Sequence, residues 1–480
     1  MNASNSVSRA FQHAREAQPA WAERSLRERL RVVGNLRHAL AARADDVVEA
    51  VDAHKSRGPG ESLGAEVLPV LEACRFLERR AKGILKPRFP RSYGFFSLFR
   101  PFRHEIRREP FGTVLVIGPS NYPFMLPVIQ ALQALTAGNA AVIKPGVGGE
   151  EACRIFADLL AESGLPDGLC HVSGSSTEEA KEALESGPDK VVLTGSAGTG
   201  RAVLRELAEQ IVPATMELSG CDAVFVLPDA DLDLVMKAVR FGLTLNNGAT
   251  CIAPHRLFAT RETIESLEKR LTEADLPTCR VDERVAEYAA ELIEEAVDCG
   301  ARRIAGSAED AERWKPVILA DADPEMPLLQ KDVFAPVLSL VRVSDMEDAL
   351  AAAGRCPYAL GATVFGPAGE ARSFARRVPA GAVVVNDMVA PTGDPRMPFG
   401  GRGESGFGVT RGAEGLLEMT RIKAITVSPR WGKFHLEGAS ETSRNVIDSY
   451  IKAAHGRGFM KRMKAAWHAL GTVMGGGGDG

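Results

Sequence analysis

No CxxC pair and no dense cysteine cluster occurs in this 480-residue chain, whose 8 cysteines are spread along its length. A disulfide framework is therefore excluded, and scattered thiols of this kind suit a reducing, cytoplasmic setting in which a cysteine nucleophile is admissible. The 9 histidines are scattered too, without HExxH or Cys/His ligand spacing, so no metal site is expected. Charge of one sign is also lacking. With 58 Lys+Arg against 62 Asp+Glu the formal net charge is -4, which leaves no basic field for nucleic acid and favours small-molecule partners. No run of about 18 uncharged apolar residues appears, as a membrane-spanning helix would need. The N-terminus has no apolar signal-peptide core. We expect neither export nor a membrane span, and we find no internal repeat.

What is present is an ordinary globular composition, 45% hydrophobic and 25% charged, with length enough for two or three cores of ~100 to 200 residues. From Ser25 to about Lys82 apolar residues recur at helical spacing, as in Leu30, Val33, Leu36 and Leu40. Residues 84–109 turn to Pro, Arg and Phe around a Tyr-Gly step, which predicts an extended arm or hairpin. At Gly112 a new pattern begins. The runs GTVLVIG, AAVIKPG, LCHVSG, KVVLTGS and AVFVL are short, continuously apolar and rich in β-branched residues, the mark of strands buried on both faces. Helix-like segments such as PVIQALQALTAG and TGRAVLRELAEQIV separate them. The alternation predicts an α/β fold with a doubly wound parallel sheet, whose ligands bind beyond the carboxyl ends of the strands.

A second α/β region follows, with helices expected around 231–247 and 282–299 and strands at LFA, PVLSLVRV, GATVFG and GAVVVN. The expected organisation is a cofactor domain in residues 1–94 and 111–235, a catalytic domain in 236–417, arm segments at 95–110 and 418–428, and an extension over 429–480. That extension carries a basic amphipathic helix, with Phe459, Met460, Met463, Trp467 and Leu470 on one face and Lys461, Arg462 and Lys464 beside it, then a Gly-rich tail expected to be disordered. Packing on the parent protein or a partner subunit is the first expectation for this helix, weak association with an acidic membrane surface the second.

Seven motifs carry the chemistry. They are EPFGTVLVIGPSNYPF with Asn121, TGSAGTG at 194–200, MELSG with Glu217, NNGATCIAP with Cys251, KDVFAPV at 331–337, VVVN ending at Asn386, and PFGGRGESGFG at 398–408. In this order, and with Glu217 and Cys251 34 positions apart, they resemble the aldehyde dehydrogenase superfamily over about residues 20–428. Cys251 then stands as nucleophile. A thiolate converts a flat carbonyl into a tetrahedral carbon able to expel hydride, and the thioester left behind is open to water. By the same resemblance Asn121 donates its amide to the oxyanion, jointly with the backbone N–H of Cys251. Glu217 activates the hydrolytic water, and base strength near neutral pH calls for a carboxyl raised by partial burial.

The resemblance further implies NAD or NADP as cofactor. The strand end holding Ile117 and Pro119 leads to the site, Lys144 reaches the adenosine ribose, and a helix opening just after Gly195-Ser196 offers free N–H groups to the pyrophosphate. Leu218, Asp332 and Phe334 complete the cofactor set, the last two at the nicotinamide ribose and ring. A homo-oligomer, dimer or tetramer, built by pairing the arm across subunits is implied as well.

Several positions depart from the family pattern. Val147 stands three residues past Lys144, where NAD-preferring members place a ribose-binding glutamate, so both NAD and NADP stay open. Asp332 is one methylene shorter than the common residue. Ser120 and Ala249 reshape the aldehyde tunnel, and Leu218-Ser219-Gly220-Cys221 replaces Leu-Gly-Gly-Lys. The local motifs are most similar to the class 3 and fatty aldehyde branch, which points to medium-chain or aromatic aldehydes. Two other readings remain: a relative that passes the acyl group to coenzyme A, against which Glu217 argues, and a catalytically silent nucleotide binder, against which Asn121, Glu217 and Cys251 together argue.

Overall fold

In a computed structural model, residues 4–55, 57–91, 102–428 and 441–475 are described. The strands, in chain order, are β1 Arg103–Pro110, β2 Thr113–Ile117, β3 Ala140–Lys144, β4 Cys170–Val172, β5 Lys190–Gly195, β6 Ala214–Leu218, β7 Asp222–Val226 and β8 Pro254–Thr260. They continue as β9 Arg302–Ser307, β10 Lys315–Ala320, β11 Val337–Val343, β12 Gly361–Phe365, β13 Ala382–Val385, β14 Gly406–Phe407 and β15 Thr420–Val427. The chain forms two compact units, Met1–Ile84 with Pro110–Arg421, and Leu85–Glu109 with Ile422–Gly480.

The first unit holds a six-stranded sheet in the order β14-β6-β5-β2-β3-β4. All pairings are parallel except the edge pair of β14 with β6, where Gly406 lies opposite Glu217. All five residues of β2 are buried, as a parallel sheet covered on both faces requires. Every residue of the helix Met125–Ala137 is buried as well, which accounts for its apolar character all round. From β2 the chain moves outward to β3 and β4, then returns to the other side of β2 for β5 and β6. The switch point thus falls between β2 and β5, where a crevice opens beyond the strand ends. A Cβ on Gly146, in the loop after β3, would lie 2.1 Å from the Pro119 carbonyl oxygen. Only glycine lets that loop close against the loop after β2.

A second sheet of seven strands runs β13-β12-β7-β8-β11-β10-β9, parallel except for the edge pair of β9 with β10. Its faces alternate with period two. Phe225 and Phe258 enter one core cluster with Trp314, while Val224, Val226 and Leu257 enter the other with Leu243 and Phe365. The run AVFVL, expected as the fifth strand of the first sheet, is β7 of this second one. The turn 219–221 that separates β6 from β7 is where the chain changes sheets, earlier than the expected boundary at 235. The expected strands at 336–343, 361–366 and 381–386 are β11, β12 and β13, and the helix expected at 282–299 is Glu283–Asp298. The strands β9 and β10 were not anticipated.

N-terminal helices Ser4–Glu23, Leu26–Ala42 and Ala44–Lys55 lead to a short helix, Pro59–Ser62, a π-helical turn, Leu63–Val67, and the helix Leu68–Leu85. A capping box of Ser25 and Glu28 starts the second of these.

In the second unit β1 and β15 form a two-stranded sheet from the expected arm segments; residues 95–101 of the arm lie outside the described residues. Two helices, Glu441–His455 and Phe459–Gly475, close this unit. The basic amphipathic stretch is therefore broken by the turn at 456–458. Phe459, Met460, Met463 and Trp467 are exposed, while the Leu470 side chain and the Gly-rich end of the tail lie outside the described residues. Among those described, no helix is long and apolar enough to cross a membrane.

Candidate active site

Loops that follow the carboxyl ends of the first sheet's strands converge with the turn ahead of β8. The loop after β2 supplies Pro119, Ser120 and Asn121. The turn before β8 supplies Cys251, preceded by Asn246 and Asn247 in left-handed backbone, φ 53 and 56, a conformation asparagine tolerates better than most residues. Gly220, in the turn after β6, packs on the nucleophile: a Cβ there would lie 2.6 Å from the Cys251 carbonyl oxygen.

Asn121 is buried and its amide is fixed at both ends. Its Oδ1 accepts from the Tyr122 N–H at 3.0 Å, and its Nδ2 donates to the Ala249 carbonyl at 3.1 Å. The donor end is thus held toward the nucleophile turn, with a second N–H left for an oxyanion.

Glu217 is 2% exposed. Its Oε2 accepts from the Thr410 hydroxyl at 2.7 Å, and its Oε1 is buried with no protein partner. Burial pushes its carboxyl up, against the pull of the Arg411 guanidinium and the Thr410 hydroxyl. Arg411 is itself held at 2.6 Å by the Thr392 carbonyl and lies 4.4 Å over the Phe399 ring. Burial, then the negative charges of Glu217 and Asp222, hold the Cys251 thiol well above its usual range, with Arg411 opposing. Repulsion between their negative forms means that ionising one disfavours ionising the other.

Two cavities meet at these residues. The larger, of about 770 Å³, is lined by Pro119, Asn121, Gly195, Ser196, Leu218, Asp332 and Phe334 together with Glu217 and Cys251. The smaller, of about 350 Å³, shares Leu126, Glu217 and Cys251 with it and is walled largely by apolar side chains, among them Met125, Phe241, Ile252 and Phe399. Nine of the eleven residues expected in the site therefore line the larger cavity. Ile117 and Lys144 do not. They pair in register at the ends of β2 and β3, and the Lys144 ammonium, which burial pushes down, faces Glu150 and Glu179.

The larger cavity fits a dinucleotide on two observations. Ser196 caps the helix Ala197–Gln210, accepting from the Thr199 N–H at 3.1 Å, which turns the helix's free N–H groups and positive dipole end toward the cavity. Asp332 presents a buried Oδ1 with no protein partner, as a ribose hydroxyl would require. Burial pushes this carboxyl up to about 7, with the Ser219 hydroxyl pulling the other way. Val147, at the expected ribose-glutamate position, also lines the cavity and is 70% exposed.

Sequence reasoning missed Thr410, Arg411, Tyr122, Thr250, Asn246, Arg57 and Glu66. The first pair lie just beyond the PFGGRGESGFG motif and reach Glu217 through the pairing of β14 with β6. Tyr122 and Thr250 adjoin two expected residues, and their hydroxyls lie 2.8 Å apart. Nothing in the pattern of residues 57–66 marked that segment.

A thiol, a buried carboxyl and a fixed amide set between a nucleotide-sized cleft and an apolar tunnel define an enzyme that acts on a carbonyl. Comparisons give the family. The sequence profile of the Aldehyde dehydrogenase family matches residues 2–425, and the chain belongs to that family of aldehyde-oxidising enzymes. It is 30% identical to 4,4'-diapolycopene aldehyde oxidase of Methylomonas sp, over 88% of this chain and 83% of that protein. It is 27% identical to Aldehyde dehydrogenase family 3 member A2 of Rattus norvegicus, covering 85% of each. Among solved structures, an aldehyde dehydrogenase of Mycobacterium tuberculosis complexed with NAD+ superposes with TM-score 0.82 at 26% identity, over 90% of this chain and 92% of that one. An NADP-dependent glyceraldehyde-3-phosphate dehydrogenase from Bacillus halodurans complexed with NADP superposes with TM-score 0.79 at 25% identity, over 88% and 91%.

Proposed function

We propose that this chain oxidises neutral, largely apolar aldehydes to carboxylic acids with NAD or NADP, through a thioester on Cys251 that is hydrolysed by water activated by Glu217. The observation that carries this reading is the meeting of the two cavities at Cys251 and Glu217. An aldehyde entering through the apolar cavity brings its carbonyl to the sulfur. Glu217 takes the thiol proton as the C–S bond forms, and the Asn121 amide with the Cys251 N–H receives the oxyanion; one such donor contributes about 3 kcal/mol to the transition state. A nicotinamide held in the larger cavity, against Asp332 and Phe334, would supply the acceptor for the hydride that the tetrahedral carbon expels. Once Glu217 has passed the thiol proton to solvent, it deprotonates the water that opens the thioester; the C–S bond breaks, the acid leaves, and the Cys251 thiolate takes the proton back from Glu217.

Substrate class follows from the smaller cavity. Arg411 is the one cation among the described residues that line it, and it is engaged by Thr392 and by Glu217. Glu61 and Glu217 add carboxylates to the wall, so an aldehyde bearing its own carboxylate or phosphate meets repulsion. Solved relatives that hold NAD+ in one case and NADP in another support a nicotinamide dinucleotide here, and Val147 offers no carboxylate to repel a 2′-phosphate. We also assign residues 1–94 and 111–235 to the cofactor domain apart from the strand β7, residues 236–417 to the catalytic domain, and the β1–β15 ribbon to the pairing arm of a homodimer or tetramer.

The test is the appearance of reduced cofactor at 340 nm with hexanal, benzaldehyde and succinate semialdehyde, each with NAD and with NADP. Turnover of the two neutral aldehydes, lost in Cys251→Ala, is expected. Persistent turnover in Cys251→Ala removes the nucleophile assignment, and equal kcat/KM for the anionic semialdehyde removes the substrate class.

A further inference from the structure

Behind the reacting groups lies a buried ion pair that the mechanism does not use. Arg57 follows the helix Ala44–Lys55, and Glu66 sits in the π-helical turn Leu63–Val67; both side chains are wholly buried and joined by a charge-assisted hydrogen bond. A π-helical turn is an uncommon conformation that concentrates at functional sites. Burying two charges costs several kcal/mol each before their attraction and hydrogen bonds offset it. Stability alone is thus a poor reason for this pair.

Its contacts fall on the two loops that carry the chemistry. Glu66 Oε2 accepts from the N–H groups of Phe124, at 3.2 Å, and Met125, at 2.7 Å, where the loop that holds Asn121 enters the helix Met125–Ala137. Arg57 Nη1 donates to Asn246 Oδ1 at 3.0 Å, and its guanidinium lies 5.5 Å over the Tyr122 ring. Asn246 in turn donates through Nδ2 to the carbonyls of Asn121, at 3.0 Å, and Ala249, at 2.9 Å. Three rungs then join the loops: Asn246 to Asn121, Asn121 to Ala249, and Tyr122 to Thr250. Accepting from Arg57 fixes which end of the Asn246 amide donates, and so fixes the first rung.

We propose that Arg57 is a positioning residue which, braced by Glu66 and acting through Asn246, sets the Asn121 amide against the Cys251 turn. The inference rests on the Cys251 reading above. A misplacement of about 1 Å at a reacting group costs on the order of 100-fold in rate, and since Arg57, Glu66 and Asn246 line neither cavity themselves, the loss should fall on kcat.

Arg57→Lys keeps the charge beside Glu66 but removes the planar fork that reaches Asn246. Steady-state kinetics should show kcat lower by about 10- to 100-fold, with KM for aldehyde and for cofactor within about 3-fold and the melting temperature within a few degrees. Asn246→Ser should give the same kcat-specific loss. The double variant should be no worse than the poorer single one, because both act on one contact. Unchanged kcat, a parallel rise in KM, or losses that multiply in the double variant overturn the proposal. Should Arg57→Lys fail to fold, Glu66→Gln and its double with Asn246→Ser answer by the same criteria. Wild-type turnover that does not depend on Cys251 defeats the underlying reading instead, so the two failures are told apart.

Discussion

Glu217 is held through one carboxylate oxygen by Thr410 and presents the other without a protein partner, the disposition a base needs toward water. Replacing it by glutamine removes the acceptor for both the thiol and the water proton, so it should slow the first-turnover burst of reduced cofactor and lower steady-state turnover by about 10²- to 10⁴-fold, read by stopped-flow against steady-state absorbance. Because burial raises this carboxyl in the folded chain, its contribution to stability is fully present below the ordinary carboxylate range and is lost as pH rises through the folded value. At neutral pH Glu217→Gln should therefore melt above the wild type, and a lower melting temperature would contradict the raised carboxyl. Thr410→Val removes a hydrogen bond that lowers Glu217, so the acid limb of the pH–rate profile should move to higher pH; an unmoved limb would show that Thr410 does not tune the base. Cys251, Glu217 and Asn121 were legible because each sits in a motif with its neighbours. Thr410, Arg57 and Glu66 were not, since their parts come from strand pairing and from a segment with no local pattern.

Strands buried on both faces announced themselves as unbroken apolar runs, which is why β2, β3, β5, β11 and β12 could be read directly. That signal reports burial and not partnership, so it could not say that β7 leaves the first sheet for the second. Edge strands lose even this mark. β9, with Arg302 and Arg303 exposed at its start, has neither alternation nor an apolar run; β10 is interior and carries the buried run 317–320, but it opens on Lys315-Pro316, and that short run went unread. A helix terminus can be tested as an element. Ser196→Ala removes the hydroxyl that accepts from Thr199, which should cost about 1 kcal/mol of stability and raise the cofactor KM several-fold by loosening the first turn over the expected pyrophosphate site. Titration of cofactor binding by intrinsic fluorescence, with a melting curve, checks both; unchanged affinity would place the dinucleotide away from this helix.

At the scale of the catalytic unit, the dinucleotide-sized cavity and the apolar cavity reach Cys251 and Glu217 from different sides, so selectivity for the aldehyde is set apart from the hold on the cofactor. Each methylene moved from water into the apolar cavity contributes about 0.8 kcal/mol, or roughly 4-fold in kcat/KM if the whole of it is felt in the transition state. A series of straight-chain aldehydes should accordingly show kcat/KM rising by about 3- to 4-fold per carbon until the 350 Å³ cavity is filled, then levelling as further carbons stay in solvent. The cofactor KM should remain constant across the series, since its cavity is shared only at Leu126, Glu217 and Cys251. Phe399→Ala, which opens the wall beside Arg411, should lengthen the optimum chain and lower kcat/KM for short aldehydes. A flat series would mean that the apolar cavity does not receive the aldehyde chain, and a cofactor KM that tracked chain length would mean that the two cavities do not bind independently.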